Sequence, residues 1–260
     1  MSKFRIAVFA HKFTGMNIVK YLVNNFRQDV IRVYVTELDS DITKFLQSEN
    51  FGVNNIVDVN ELSTDLGKEN LRKLNLDTII LAGWQQILKR DIIDIPRLGI
   101  INLHPALLPH NAGMHSNFWT LVEDRPYGAT IQFIDEGIDS GDIIFQKEIR
   151  KTWEDTGKTL YYSAIDALAE LFAESYPAIR EGKYSRKVNN RAEGSFHYGK
   201  ELFQKIKLNL DDNYTVRELL NLLRAQNFSP YEGCTFEDAG CKYEVQVNIR
   251  KLNDENNTRV

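Results

Sequence analysis

The stretch FRIAVFAHKFTGMNIVKYLVNNF, residues 4–26, predicts a strand followed directly by a helix. Phe4–Ala10 is a short apolar run of the kind that forms a buried strand. From Gly15 to Phe26 the apolar residues recur every three or four positions, as on one face of a helix: Met16, Val19, Leu22, Val23 and Phe26. This pair is the first half of a β-α-β unit.

The same alternation continues over the first hundred residues. Further strands are predicted at Ile31–Thr36, Asn55–Val59, Thr78–Ala82 and Ile100–Leu103. Helices are predicted between them at Ile42–Phe51, at Leu62–Leu74 and near Asp91. Such alternation predicts an α/β, Rossmann-like fold, in which a mostly parallel, twisted sheet is flanked by helices.

The pattern changes after Tyr127. Two strands, Gly128–Ile134 and Asp142–Ile149, flank a loop rich in turn-forming residues that is too long for a two-residue hairpin. A long helix follows at Thr159–Glu181.

The composition shifts at residue 183. Residues 183–200 are polar, basic and aromatic and are predicted to form an extended connection; a helix at Val216–Ala225 and a hairpin of Cys234–Phe236 with Lys242–Arg250 follow. The chain is therefore predicted to have a main domain over residues 1–182 and a small α+β subdomain over residues 183–260.

Composition narrows the classes of partner. The chain has 260 residues and a net charge of -4, which argues against a nucleic-acid partner. Its N-terminus has too short an apolar run for a signal peptide, and no run reaches the ~18 apolar residues of a membrane span. Cys234 and Cys241 are interpreted as free thiols rather than a disulfide or part of a zinc site. We therefore expect a cytoplasmic protein without a metal or a membrane partner.

Polar residues follow the apolar strand at Ile100. Asn102 and His104 are two positions apart on extended backbone, so their side chains share a face near the carboxyl end of a strand, where open α/β sheets bind ligands. An amide that donates to an oxyanion and an imidazole that moves a proton would suit acyl transfer. Alternatively, both side chains satisfy backbone groups at the strand end.

Two more residues are candidates for the same edge of the sheet. Asp139 could orient an imidazole and keep it protonatable, or it could be a turn aspartate that caps its own loop. Lys12, beside a predicted helix N-terminus, could hold an anion or be a solvated loop lysine. Asn102, His104 and Asp139 would form a catalytic set if the two segments meet.

Two motifs carry a family resemblance. N-x-H-P-x-L-L-P at Asn102–Pro109 and D-x-G-x-D-S-G at Asp135–Gly141 resemble the 10-formyltetrahydrofolate-dependent formyltransferases over about residues 1–180. The resemblance implies that an amine nitrogen attacks the formyl carbon of N10-formyltetrahydrofolate. It also implies that Asn102 and protonated His104 stabilise the oxyanion, and that Asp139 sets the charge of His104.

The resemblance further implies the contacts of the folate co-substrate. These would come from the loop after the fourth strand and from the D-x-G-x-D loop: Trp84, Gln85, Gln86, Ile87 and Leu88, with Glu136, Gly137 and Ile138. For Trp84 the alternative is that its ring only packs under the sheet.

The segments NAGMHSNFW (residues 111–119) and SFHYGK (residues 195–200) resemble the sugar N-formyltransferases. The acceptor implied is a dTDP-linked amino-dideoxy sugar, such as dTDP-4-amino-4,6-dideoxyglucose, used for surface polysaccharide (O-antigen) synthesis. Its predicted contacts are Lys12, His115, Phe196, Tyr198, Lys200, Arg224 and Tyr231. Alternatively, the aromatic residues among them only pack the tail onto the main domain.

Three other functions stay open. The first is methionyl-tRNA formyltransferase, against which residues 196–260 carry nine Lys and Arg and ten Asp and Glu. The second is a formyltetrahydrofolate hydrolase. The third is a non-catalytic sensor of folate or nucleotide. A homodimer that pairs through the edge of the C-terminal hairpin is also expected.

Overall fold

The computed structural model describes residues 3–252. Its strands are β1 (Ile6–Ala10), β2 (Val30–Val35), β3 (Ile56–Asp58), β4 (Thr78–Ala82), β5 (Ile100–His104), β6 (Ala112–Gly113), β7 (Tyr127–Phe133), β8 (Ile143–Ile149), β9 (Phe196–His197), β10 (Cys234–Asp238) and β11 (Cys241–Val245). Its α-helices are α1 (Lys12–Phe26), α2 (Asp41–Ser48), α3 (Asp65–Lys73), α4 (Arg90–Ile93), α5 (Ser116–Val122), α6 (Gly157–Glu181), α7 (Gly199–Lys205) and α8 (Val216–Ala225).

Seven strands form one sheet in the order β3-β2-β1-β4-β5-β7-β8. The pairs from β3 to β5 are parallel, whereas β5 with β7 and β7 with β8 are antiparallel. The predicted α/β fold with a mostly parallel sheet is confirmed. The sheet changes direction beside β5, the strand that carries Asn102 and His104.

The two faces of β1 explain why the sheet is covered on both sides. Ile6 and Val8 pack into a cluster with α1 and α6, while Ala7 and Phe9 pack into a second cluster that includes Leu71 of α3. Successive strand residues point to opposite faces, so an apolar run buries residues against both layers. β1 is therefore an interior strand, as its sequence predicts.

Several predicted boundaries differ from the structure. The helix predicted at Leu62–Leu74 is divided: Val59–Ser63 forms a 3-10 turn, and α3 begins after Thr64, whose side chain accepts from the Gly67 amide. The spacing of the apolar residues is the same on both sides of Thr64, so the apolar pattern alone did not reveal the new helix start that this capping residue marks. The second hairpin strand ends at Val245 rather than Arg250.

The C-terminal part shares a core with the main domain. Leu222 of α8 and Cys234 of β10 lie in one apolar cluster with Phe118 of α5 and Leu160 of α6. A Cβ on Gly157 would lie 2.0 Å from the Ala225 carbonyl oxygen, so only glycine allows α6 and α8 to approach this closely. The two predicted domains are thus joined by continuous packing. Within residues 3–252, no helix is long and apolar enough to cross a membrane.

Candidate active site

The candidate site lies where β1, β4 and β5 end. The His11 amide donates to the Ala82 carbonyl at 3.0 Å, which holds the segments after β1 and β4 side by side. On β5, Leu103 is buried in the core, while Asn102 and His104 occupy the other face of the strand. The carboxyl edge of the parallel strands therefore brings three chain segments together, as expected for this fold.

A polar stripe crosses the sheet beside His104. In the antiparallel pairing of β5 with β7, Asn102 lies opposite Gln132 and His104 lies opposite Thr130. Directly opposed residues share a face, so these four side chains lie on one side of the sheet. Gln132 and Thr130 are fully buried. Sequence reasoning missed Gln132, although an amide inside the apolar strand GATIQFI was a signal for it.

The structure brings His104 and Asp139 together. His104 Nδ1 lies 3.4 Å from Asp139 Oδ1, and the two side chains are only 8% and 10% exposed. The Gly113 amide donates to Asp139 Oδ2 at 2.9 Å, and Gln132 Nε2 donates to Oδ1 at 3.2 Å. The carboxylate is therefore held from two sides with one oxygen toward the imidazole.

The other nitrogen of His104 is available for chemistry. His104 Nε2 is buried and has no hydrogen-bond partner within residues 3–252. A buried polar atom without a partner is costly unless a ligand or water completes it. With Asp139 at Nδ1, the imidazole can exchange a proton through Nε2.

The predicted folate contacts divide into two groups. Gln85, Gln86 and Ile87 are exposed after β4, and Ile87 is 77% exposed. The Trp84 ring instead lies 5.2 Å from the Phe9 ring, and Trp84 packs with Leu88 against the cluster under the sheet. These contacts favour the packing alternative for Trp84.

The D-x-G-x-D loop is a folded turn. Asp135 Oδ1 accepts from the Gly137 amide at 3.0 Å and from Ser140 Oγ at 2.5 Å. Glu136 pairs with Arg90 at 2.7 Å on the surface, and Ile138 is 40% exposed. The turn presents Asp139 toward the sheet while Ile138 faces outward.

The predicted acceptor contacts lie on several segments. Lys12 is exposed at the first residue of α1, and His115 is the N-cap of α5, where burial lowers its pKa. Phe196 is half-buried beneath the Arg191 guanidinium, 4.9 Å from the ring centroid. Tyr198 lies 4.9 Å from Phe196 and is 56% exposed. Lys200 and Tyr231 are also exposed.

The contacts of Arg224 favour a structural role over the predicted contact with the acceptor. Its side chain is 5% exposed, and its guanidinium donates to the Thr152 and Asp155 carbonyls at 2.6 and 3.2 Å and to Asn221 at 3.0 Å. These hydrogen bonds of Nε and Nη1 tie α8 to the segment before α6.

His197 lies between two of the predicted contacts, Phe196 and Tyr198. His197 is 8% exposed and stacks on Trp119 at 3.8 Å with an interplanar angle of 7°. Its Nε2 lies 2.9 Å from Glu123 and its Nδ1 lies 3.1 Å from Glu201. Among the aromatic residues of the SFHYGK segment, His197 is therefore the buried one.

A row of aromatic side chains, the aromatic row, runs from α1 to the segment after α8. Successive ring centroids are 5.3 to 6.1 Å apart, and the row comprises Phe13, Tyr162, Tyr161, Phe228 and Tyr231. Phe13 is 57% exposed and directly follows Lys12, at the candidate site's edge of the sheet. Among the described residues, no group of three or more His, Cys, Asp or Glu is placed to hold a metal ion.

Solved structures share this fold. A sugar N-formyltransferase from a Shewanella species aligns with a TM-score of 0.79 and 21% identity, covering 96% of this chain and 99% of that chain. A 4-N formyltransferase from Francisella tularensis aligns with a TM-score of 0.76 and 24% identity, over 96% and 99%. The formyltransferase PseJ from Anoxybacillus kamchatkensis, solved with a UDP-linked formamido sugar and tetrahydrofolate, is 28% identical, with a TM-score of 0.55, over 77% and 88%.

Sequence relatives and family models agree on the family. A methionyl-tRNA formyltransferase from Clostridioides difficile is 32% identical over 74% of this chain, and one from Fusobacterium nucleatum is 29% identical over 81%. The chain spans 60% and 64% of the length of these two relatives. The model described as formyl transferase matches residues 26–175, and the model described as N-formyltransferase dimerization C-terminal domain matches residues 201–251. The chain therefore belongs to the formyl transferase family.

Proposed function

We propose that this chain is an N-formyltransferase. It moves the formyl group of N10-formyltetrahydrofolate to the amino group of a dTDP-linked amino-dideoxy sugar. The acceptor we favour is dTDP-4-amino-4,6-dideoxyglucose, and the product would be used for surface polysaccharide synthesis. The observation that carries this proposal is His104 at the carboxyl ends of the strands: its Nε2 has no hydrogen-bond partner among residues 3–252, and Asp139 lies at its Nδ1. A buried imidazole supported in this way is suited to move a proton.

The chemistry follows from the three polar side chains. The formyl donor supplies the carbonyl carbon: the acceptor nitrogen bonds to it, and its bond to the folate nitrogen breaks. The Asn102 amide donates to the negative charge that develops on the formyl oxygen, a role worth about 10²- to 10³-fold in kcat. His104 Nε2 takes the proton that the amine loses, and Asp139 stabilises the resulting imidazolium. The imidazolium then gives this proton to the folate nitrogen as that nitrogen leaves, which returns His104 to its neutral form. The exposed residues Gln85–Ile87 would lie along the folate.

The choice of a sugar acceptor has two supports. The solved sugar N-formyltransferase from Shewanella matches 96% of this chain, so the likeness includes its C-terminal part. Residues 196–260 have nine Lys and Arg against ten Asp and Glu, which is a weak electrostatic surface for RNA. Methionyl-tRNA formyltransferase stays the second candidate because the curated relatives carry that name.

A panel of amines tests the acceptor. The protein is incubated with formyl folate and dTDP- or UDP-linked 3-amino and 4-amino sugars, glycinamide ribonucleotide, methionyl-tRNA or no amine, and products are weighed by mass spectrometry. We expect one added formyl group on a dTDP-linked amino sugar. A product on methionyl-tRNA alone would establish the second candidate, and formate release at full rate without amine would establish a hydrolase.

Phe13 is proposed as a contact for the base of the nucleotide. Stacking of a base on an aromatic ring is worth about 1–3 kcal/mol, so Phe13→Ala should raise KM for the nucleotide-linked acceptor about tenfold. The KM for formyl folate should stay unchanged. Leu66→Ala, which removes a 69% exposed apolar side chain from α3, is the control for steady-state kinetics. An unchanged KM for the acceptor in Phe13→Ala would show that the aromatic row does not contact the acceptor.

A homodimer is part of the proposal. The family model over residues 201–251 is described as a dimerization domain. In the β10–β11 hairpin, Cys241–Glu244 are exposed, and Tyr243 is 47% exposed while its ring stacks 5.1 Å from Phe236. An exposed edge strand that carries aromatic rings is suited to pair with a second copy.

A further inference from the structure

The segment between the two family matches packs against the candidate site. This connecting segment, residues 187–198, lies outside residues 26–175 and 201–251. Lys187 exchanges backbone hydrogen bonds of 2.8 Å with Ile143, directly after the D-x-G-x-D loop. Asn189 Nδ2 donates to the Asp139 carbonyl at 2.8 Å, and Arg191 Nη1 donates to the Ile138 carbonyl at 3.2 Å. The connecting segment therefore bonds to the loop that carries Asp139.

The connecting segment also reaches Asp139 from the other side. Its strand β9 pairs with β6, and Gly113 of β6 is the residue whose amide donates to the Asp139 carboxylate. A Cβ on Gly113 would lie 2.3 Å from the His197 carbonyl oxygen, so this approach requires glycine. Glu123 fixes the strand by accepting from Ser195 Oγ at 2.7 Å and by lying 2.9 Å from His197.

The backbone of Asp139 needs such support. Its φ is +49°, in the left-handed region that residues other than glycine adopt rarely. A residue other than glycine keeps this backbone conformation only where contacts with the surrounding structure hold it. Asn189 is 7% exposed, and its hydrogen bond is made to the carbonyl of Asp139 itself. It can therefore fix the peptide that sets the direction of the carboxylate.

We propose that Asn189 is a positioning residue for the reaction. It holds Asp139 in the left-handed conformation that points the carboxylate at His104. This inference rests on the proposed function of Asp139. Asn189 acts through Asp139 and does not touch the reacting atoms.

Substitution of Asn189 tests the proposal. Asn189→Ala and the similarly sized Asn189→Leu both remove the donated hydrogen bond without burying a charge, and they should lower kcat about 10- to 100-fold while KM for formyl folate changes little. The matched control is Asn190→Ala. Asn190 is the exposed neighbour of Asn189, and its side chain bonds to Glu193 and Ala192 rather than to the loop of Asp139. We expect wild-type kcat in the control and a Tm near that of wild type in all three variants. Wild-type kcat in both Asn189 variants would overturn the proposal.

Two further measurements separate positioning from general stability. Combined with Asp139→Asn, Asn189→Ala should cause no additional loss of kcat, because a residue that acts only through Asp139 is not additive with it. Fully additive losses would overturn the proposal.

Hydrogen–deuterium exchange of residues 136–141 gives a readout that needs no activity. The rate should rise in the Asn189 variants and stay unchanged in Asn190→Ala; equal rates in all four proteins would overturn the proposal. If wild type formylates no amine in the panel, the proposed function fails while the exchange data still decide the role of Asn189.

Discussion

Replacing His104 with alanine is expected to lower kcat for formyl transfer by about 10²- to 10⁴-fold, the usual contribution of a positioned general acid or base. Asp139 lies at Nδ1 of the imidazole, and Nε2 has no hydrogen-bond partner in the part of the chain that the structure describes. Because the imidazole of His104 stabilises mainly the transition state, the His104→Ala variant should still bind formyl folate. Steady-state kinetics and equilibrium titration with a folate analogue measure the two effects separately.

His110→Ala is the matched control for that result. His110 lies six residues further along the same chain segment, half-buried, and burial lowers the pKa of its imidazole. We expect turnover near that of wild type. Near wild-type kcat in His104→Ala would contradict the proposed mechanism, and loss of folate binding together with activity would indicate damage to the cleft instead.

Asp139→Asn should lower kcat by about 10²- to 10³-fold while the Tm changes little. The amide keeps the shape of the carboxylate and can still accept from Gly113 or Gln132, so the loop should remain folded. It carries no charge, so an imidazolium that forms at His104 loses the partner 3.4 Å away. The expected loss is of the size seen when one stabilising group for developing charge is removed.

Asp142→Asn controls for charge in the same loop. The backbone carbonyl of Asp142 accepts from the Phe133 amide at 2.9 Å, an interaction that the substitution keeps. Activity near that of wild type is expected for it, measured by the same mass-based assay. If Asp139→Asn and Asp142→Asn had equal kcat values, the carboxylate of Asp139 would have no special role.

The elements whose signals are local were predictable, in the parallel half of the sheet and in the C-terminal part alike. The apolar run at Thr78–Ala82 and the helical pattern at Val216–Ala225 match β4 and α8 at both ends. The meeting of His104 with Asp139 was also within reach, since the carboxyl ends of strands converge on one edge. Each of these inferences needs only a short window of sequence or one rule of topology.

The remaining features depend on contacts between distant residues. Gln132 faces Asn102 only through the register of β5 with β7, and no short window contains both. In the sequence, Arg224 looks like an ordinary surface cation. It is buried because its guanidinium bonds to backbone carbonyl groups about seventy residues earlier in the chain. Asn189 lies in a polar stretch that resembles a linker, so only its contact with Asp139 distinguishes it from Asn190.

The pairing of β9 with β6 has a consequence for engineering hybrids between formyl transferases. A crossover at residue 182, the predicted end of the main domain, would take β9 from one parent and β6 from the other. It would also take Asn189 and Asp139 from different parents. A crossover at Gly199, where α7 begins, leaves those pairs intact and exchanges only the helices and hairpin that follow. Swaps of the C-terminal part should therefore be joined there.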